Sequence, residues 1–154
     1  MGFQLNLNTE TVDRCHPAEP LCLAPSVSMR EVLRQMREHN RGVVLVCDDG
    51  KIIGIFTERD ALKMMAARAS FDAPLRQFMM PDPVFLRVTD MVGKAISTMA
   101  KGGYRRLPIV DELGRPTGII TAEGIMHYLA EHFSSVVYNL PPEPHYSTQQ
   151  REGA

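Results

Sequence analysis

Apolar positions along the chain change period in a fixed order, and that order is written twice. Leu21–Ala24 reads as a short strand, and Met29, Val32, Leu33 and Met36 then follow the i, i+3, i+4, i+7 spacing of one helix face. Ser28 and Glu31 stand before that stripe as a capping-box pair. The stretch VVLVCDDGKIIGIF sets two apolar strands around Asp-Asp-Gly, a strong hairpin signal, and a second helix follows over about residues 58–69. The pattern then restarts with a strand at Val84–Val88. A helical stripe of Val92, Ala95, Ile96 and Met99 follows, closed by Gly102-Gly103. In LPIVDELGRPTGII the hairpin signal is weaker, because Pro116 removes a ladder donor and suits a strand start or an edge. A last helix spans about residues 122–134. Each half spells β-α-β-β-α.

Register supports a duplication. Val46, Gly50, Gly54, Ile55 and Thr57 match Val110, Gly114, Gly118, Ile119 and Thr121 at a constant offset of 64 residues. Upstream, Pro20, Val32, Leu33 and Met36 match Pro83, Ala95, Ile96 and Met99 at an offset of 63, so one extra residue lies in the loop around Gly102-Gly103. One such unit is too small to cover both faces of its sheet. The expected fold is therefore of the α/β (α+β) class, with two pseudo-symmetric β-α-β-β-α repeats packed sheet to sheet and two equivalent clefts about a pseudo-twofold axis. The boundaries read as an N-terminal arm over 1–14, repeats over 15–70 and 71–134, and a Pro-rich tail over 135–154. In the arm, Phe3, Leu5 and Leu7 alternate as in an added strand or a partner-binding segment. The tail is expected to extend or fray.

Composition narrows the functional classes. Seventeen Lys and Arg against eighteen Asp and Glu supply no general attraction to nucleic acid or to an anionic membrane. Aromatic residues make up 6% with no Trp, and none interleave the small basic cluster of Lys101, Arg105 and Arg106, so single-strand binding lacks a stacking platform. Cys15, Cys22 and Cys47 are odd in number, form no C-x-x-C pair and read as reduced thiols. The opening MGFQLNLNTETVDR lacks the basic and apolar regions of a secretory signal, and no apolar run is long enough to span a bilayer. The expected compartment is the cytoplasm. Cys15, His16 and Cys22 lack zinc-ligand spacing, and His127 and His132 are off the same-face spacing of a helical metal pair. Phosphate-loop, dinucleotide and nucleophile-elbow motifs do not occur, so no catalytic residue and no catalytic cofactor is expected.

Two strand-to-helix corners carry the candidate chemistry: GIFTERD at residues 54–60 and GIITAEG at residues 118–124. A Thr followed three residues later by an acid is a capping box, worth about 1 kcal/mol to its helix. The same geometry suits a nucleotide, since a helix start attracts phosphate and a carboxylate one turn in can accept hydrogen bonds from a ribose diol. The two readings are compatible, and the corner alone does not choose between them.

The double occurrence of these corners behind hairpins resembles the cystathionine β-synthase (CBS) domain, and the tandem pair resembles a Bateman module. PVFLRVTD, YRRLPIVDELG and GIFTERDAL carry the likeness, which covers about residues 15–134. The resemblance implies a non-catalytic regulatory module that binds AMP, ADP, ATP or S-adenosylmethionine in its clefts, pairs as a homodimer and acts on a client protein. Carried over, Thr57 meets phosphate, Asp60 the ribose hydroxyls and Ile55 the base, with Met79 to Val84 completing the cleft and Thr121 the counterpart of Thr57. A basic residue often precedes the first hairpin strand; here it is Arg106 in the second copy, whereas the first copy has Gly42. The expectation is thus a divided pattern, with the acid in one cleft and the arginines in the other, one competent adenosine site at the Asp60 cleft, and a second cleft that is empty, weak or used for an anion. The alternative is a ligand-free dimerisation or protein-docking module. The ten methionines fall largely on helical stripes and read as core filling or an adaptable interface.

Overall fold

A computed structural model describes Leu7 and residues 10–137 of the 154-residue chain. Phe3, Leu5 and nearly all of the Pro-rich tail lie outside the described residues. Repeat 1 forms a sheet in the order β1 (Cys22–Leu23), β2 (Val43–Asp48), β3 (Lys51–Thr57) and β4 (Met80–Pro81). Repeat 2 forms a sheet of β5 (Leu86–Arg87), β6 (Arg106–Val110) and β7 (Pro116–Thr121). The helices are α1 (Met29–Glu38), α2 (Glu58–Ala66), α3 (Val92–Gly102) and α4 (Ala122–Val137). This is the mixed α+β architecture that the periodicities predict. The first strand of each repeat is shorter than the apolar run suggests, and α2 ends before residue 69, where Arg68 turns left-handed at φ 57°.

Strand alternation explains the layers. Val44, Val46 and Phe56 face α1 and α2 and build one core with Met29, Val32 and Leu75. Val43 and Leu45 point to the opposite face, where they meet Ile119 of repeat 2 beside Ile52 and Ile55. This inter-repeat layer holds the halves together, and the Ile52 N–H donates across it to the Gly114 carbonyl at 3.1 Å. A third core joins Leu86, Val92, Ala95, Leu107 and Ile120 to α4. The first hairpin turns through Asp49 and Gly50, both at positive φ, as an Asp-Gly turn requires. In the second, Pro116 opens β7, a position that asks for no preceding ladder donor. Asn40 (φ 53°) and Gly103 (φ 71°) end α1 and α3 at equivalent points, so the extra residue of repeat 2 falls among Tyr104, Arg105 and Arg106.

The segments entering each repeat cross to the other half. β4, which leads into repeat 2, pairs with β3 of repeat 1, Gly54 opposite Pro81 and Ile55 opposite Met80. Reciprocally, Ala18, which leads into repeat 1, exchanges two backbone hydrogen bonds with Ile119 of repeat 2 at 2.8 and 2.9 Å. The described part of the expected arm is docked, Leu7 included: its carbonyl accepts from the Gly93 N–H at 3.0 Å. Val12 and Cys15 are fully buried against repeat 2, and the Val92 N–H donates to the Glu10 carbonyl at 2.8 Å. Phe56→Ala removes the largest fully buried side chain and should lower stability by about 3–5 kcal/mol, measured by urea unfolding.

Candidate functional site

The first corner is built as its residues suggest. Thr57 is the N-cap of α2, and the Asp60 carboxylate reaches back to accept from the Thr57 N–H at 3.0 Å and from the Thr57 hydroxyl at 3.1 Å. Both bonds use the same carboxylate oxygen, Oδ2. In the second corner the threonine caps alone: Thr121 Oγ1 accepts from the Gly124 N–H at 2.8 Å.

A cleft of about 580 Å³ opens at the first corner, within the range of small-molecule sites. Of the candidate residues, Ile55, Thr57, Asp60, Val84 and Arg106 line it. Met79 does not. Its sulfur packs on Gly54, in space that a Cβ there would fill, and its neighbour Met80 lines the cleft instead. Thr121 lines a different cavity of about 440 Å³, between the two corners, with Arg105, Arg106, Glu58, Ala122 and Glu123. Sequence reasoning passed over several lining residues, among them Glu58, Arg59, Lys63 and Tyr104. Lys63 stands one helical turn beyond Asp60, so i, i+3 spacing could have identified it.

The expected division between an acidic and a basic cleft is not exclusive, because the arginines line the cavity at Thr121 and the Asp60 cleft as well. Arg105 and Arg106 both line the Asp60 cleft, although the Arg106 backbone pairs with Thr121 of the other corner. Its Nη2 reaches to 3.8 Å from Glu58 Oε1, at the start of α2. Gly42 makes room. Its equivalent in repeat 2 is Arg106 itself, and a Cβ at residue 42 would lie 2.8 Å from Glu58 Oε1 and 3.2 Å from Arg106 Nη2. Gly42 therefore marks where the arginine of the other repeat crosses. Glu58 and Arg106 thus form an ion pair across the cleft. The pair is largely exposed, so its contribution is small. Glu58→Gln should tighten binding of inorganic pyrophosphate by roughly two- to fivefold, measured by titration calorimetry.

The second corner is shaped by the chain that covers it. A Cβ at Gly124 would meet the Cys15 carbonyl oxygen at 2.8 Å, and one at Gly118 would meet Pro17 Cβ at 3.0 Å. Among the described residues, no group of three or more His, Cys, Asp and Glu could hold a metal ion. No described helix is long and apolar enough to cross a membrane.

Comparison with known proteins agrees with the geometry. The family model "CBS domain" matches residues 15–67 and again 75–131. An uncharacterized 17.7 kDa protein of Acidianus ambivalens is 32% identical over 108 residues, 70% of this chain and 65% of its own length. An uncharacterized protein of Methanopyrus kandleri is 38% identical over 106 residues, 67% of this chain and 54% of its own. The chain thus spans less than two thirds of either relative. A CBS-domain containing protein of Agrobacterium tumefaciens superposes with a TM-score of 0.69 at 26% identity, covering 82% of this chain and 98% of that one. The CBS domain pair of protein MJ0100, solved with 5′-methylthioadenosine and S-adenosylmethionine, superposes at 0.70 with 23% identity over 77% of this chain and 98% of that one. CBSX2, solved with AMP, superposes at 0.68 with 21% identity over 79% and 97%. At those identities the last two share the fold.

Proposed function

This chain belongs to the CBS-domain family and carries two copies in tandem, and from that premise we propose that it is a regulatory module binding an adenosine-containing ligand in the Asp60 cleft. The observation that carries the reading is the meeting of the Asp60 carboxylate, the α2 helix start and the arginine pair in a single cleft. CBS pairs of the same fold are described with AMP or with S-adenosylmethionine, which makes adenosine compounds the first ligands to test. Asp60 would accept from the ribose hydroxyls, while the α2 N-terminus, Thr57, Arg105 and Arg106 would take phosphate. Ile55 and Val84 offer apolar contact to the base.

The module would act by shape, not by chemistry. A ligand shifts conformation only as far as its affinity differs between two states, and the element whose start touches the ligand is α2. Equivalent positions on α2 and α4 hold exposed Leu62 and Met126, 67% and 64% accessible, which favours homodimerisation through these helices and leaves a client protein to be found. Leu62→Lys with Met126→Lys should convert a dimer to monomer in light-scattering measurements.

Calorimetric titration with adenosine, AMP, ADP and ATP tests the reading. One site per chain is expected, with phosphorylated ligands bound more tightly than adenosine. Arg106→Gln should reduce the preference for ATP over adenosine by about tenfold, the worth of one charge-assisted hydrogen bond, and leave adenosine binding unchanged. Absence of heat and of thermal shift with every adenosine compound would overturn the proposal and leave a ligand-free docking module.

A further inference from the structure

Resting on the reading that adenosine occupies the Asp60 cleft, we propose that Asp82 is the specificity-determining residue for its base. Its carboxylate would accept a hydrogen bond from the amino group on C6 of adenine. The cleft is polarised along its length. Thr57, Asp60 and the arginine pair gather at the α2 start, while Ile55, Met80 and Val84 supply apolar surface for a base. Among the lining residues of β3, β4 and the β4–β5 connection, Asp82 alone is charged. A polar group set beside an apolar wall fixes the orientation of a ligand by meeting one group on its edge.

Strand register gives Asp82 its place. Ile55 lies opposite Met80 and Gly54 opposite Pro81, so β4 runs antiparallel to β3 and away from Thr57. The Asp82 N–H continues this ladder by donating to the Ile53 carbonyl at 3.2 Å. Asp82 is therefore level with Ile53, which stands about 13 Å from Thr57 at the rise of a strand. Asp60 binds back onto Thr57 at the near end of that span. Between the two carboxylates one nucleoside can lie along the wall, its ribose at Asp60 and the far edge of its base at Asp82.

The turn at this position does not account for the carboxylate. Asp82 has φ 51°, a left-handed conformation that Asn and Gly also adopt. Other aspartates of the chain hold their own turns: Asp90 accepts from the Arg87 N–H at 2.7 Å, and Asp111 from the Leu113 N–H at 2.8 Å. The Asp82 side chain makes no hydrogen bond or ion pair among the described residues, and it faces the cleft. A carboxylate only accepts. It suits the C6 amino group of adenine and repels the C6 oxygen of a 6-oxopurine. The rival donor edge is N1–H with the 2-amino group of guanine.

Calorimetric titration of the full chain with AMP and with purine riboside 5′-monophosphate, which lacks only the C6 amino group, isolates this hydrogen bond. Wild type should prefer AMP by about tenfold or more, the worth of a hydrogen bond to a charged group. Asp82→Gly leaves the left-handed turn free of strain and should bring the two nucleotides within about twofold of each other, by weakening AMP alone. Asp82→Asn, whose amide oxygen still accepts, should melt as wild type and keep an intermediate preference. Equal binding of both nucleotides to wild type, a preference that survives Asp82→Gly, or tighter binding of GMP than of AMP would overturn this inference alone. Binding of neither AMP nor its analogue would overturn the reading of the Asp60 cleft, and the role of Asp82 with it.

Discussion

Asp60→Ala is expected to weaken binding of AMP and ATP at least tenfold. Hydrogen bonds to a charged group contribute roughly 1.5–3 kcal/mol each, and ribose would lose its charged acceptor. The same substitution breaks a structural contact, because Asp60 also accepts from the Thr57 N–H and hydroxyl. Loss of that capping interaction costs about 1 kcal/mol, or about 3 °C of melting temperature in a chain of this size. Asp60→Asn separates the two roles. Its amide oxygen still caps α2, so the melting temperature should hold while affinity falls by about tenfold, the worth of the lost charge. Equal affinity of wild type and both variants in calorimetric titration would remove Asp60 from the site and leave it a capping residue.

Gly124→Asp, which writes the first corner's acid into the second, is expected to lower stability and to restore no second site. The new Cβ meets a backbone oxygen, that of Cys15, at 2.8 Å, so the docked segment must move. Overpacking of this kind costs about 1–3 kcal/mol, and the introduced carboxylate sits against a carbonyl, which adds repulsion. A fall of about 3–10 °C in melting temperature is expected, with adenosine stoichiometry still one per chain. Gly124→Ala isolates the Cβ: the helix gains up to about 1 kcal/mol of propensity, so a net loss there identifies the clash. A Gly124→Asp chain that melts as wild type and binds two ligands would show that the second corner is merely unused.

At residue 124 the chain itself covers the corner, and a side chain there would meet the Cys15 carbonyl oxygen. That contact could not be read from the two corners side by side. Their likeness was legible because the glycine, the two apolar residues and the threonine are neighbours along the chain, and neighbours set the local strand-to-helix turn. The placement of the arginines was only partly legible, for a related cause. Alignment placed Arg106 with Thr121, and its backbone is indeed there. Its side chain is long enough to reach Glu58, and Gly42 leaves the space open. Side-chain reach has no counterpart in register.

Strand alternation, helical stripes, the hairpin turns and the duplication were all present in the order of residues. They follow from periods of two and 3.6 and from local turn chemistry, which need no distant partner. The swap of Ala18 and Met80–Pro81 between halves, the docking of Val12–Cys15 and the gathering of Arg106 with Asp60 belong to the folded molecule. Each joins segments far apart in the chain, and such contacts arise from how two sheets pack across a pseudo-twofold axis. Packing of that kind selects for shape and volume, and these leave no period in a single sequence.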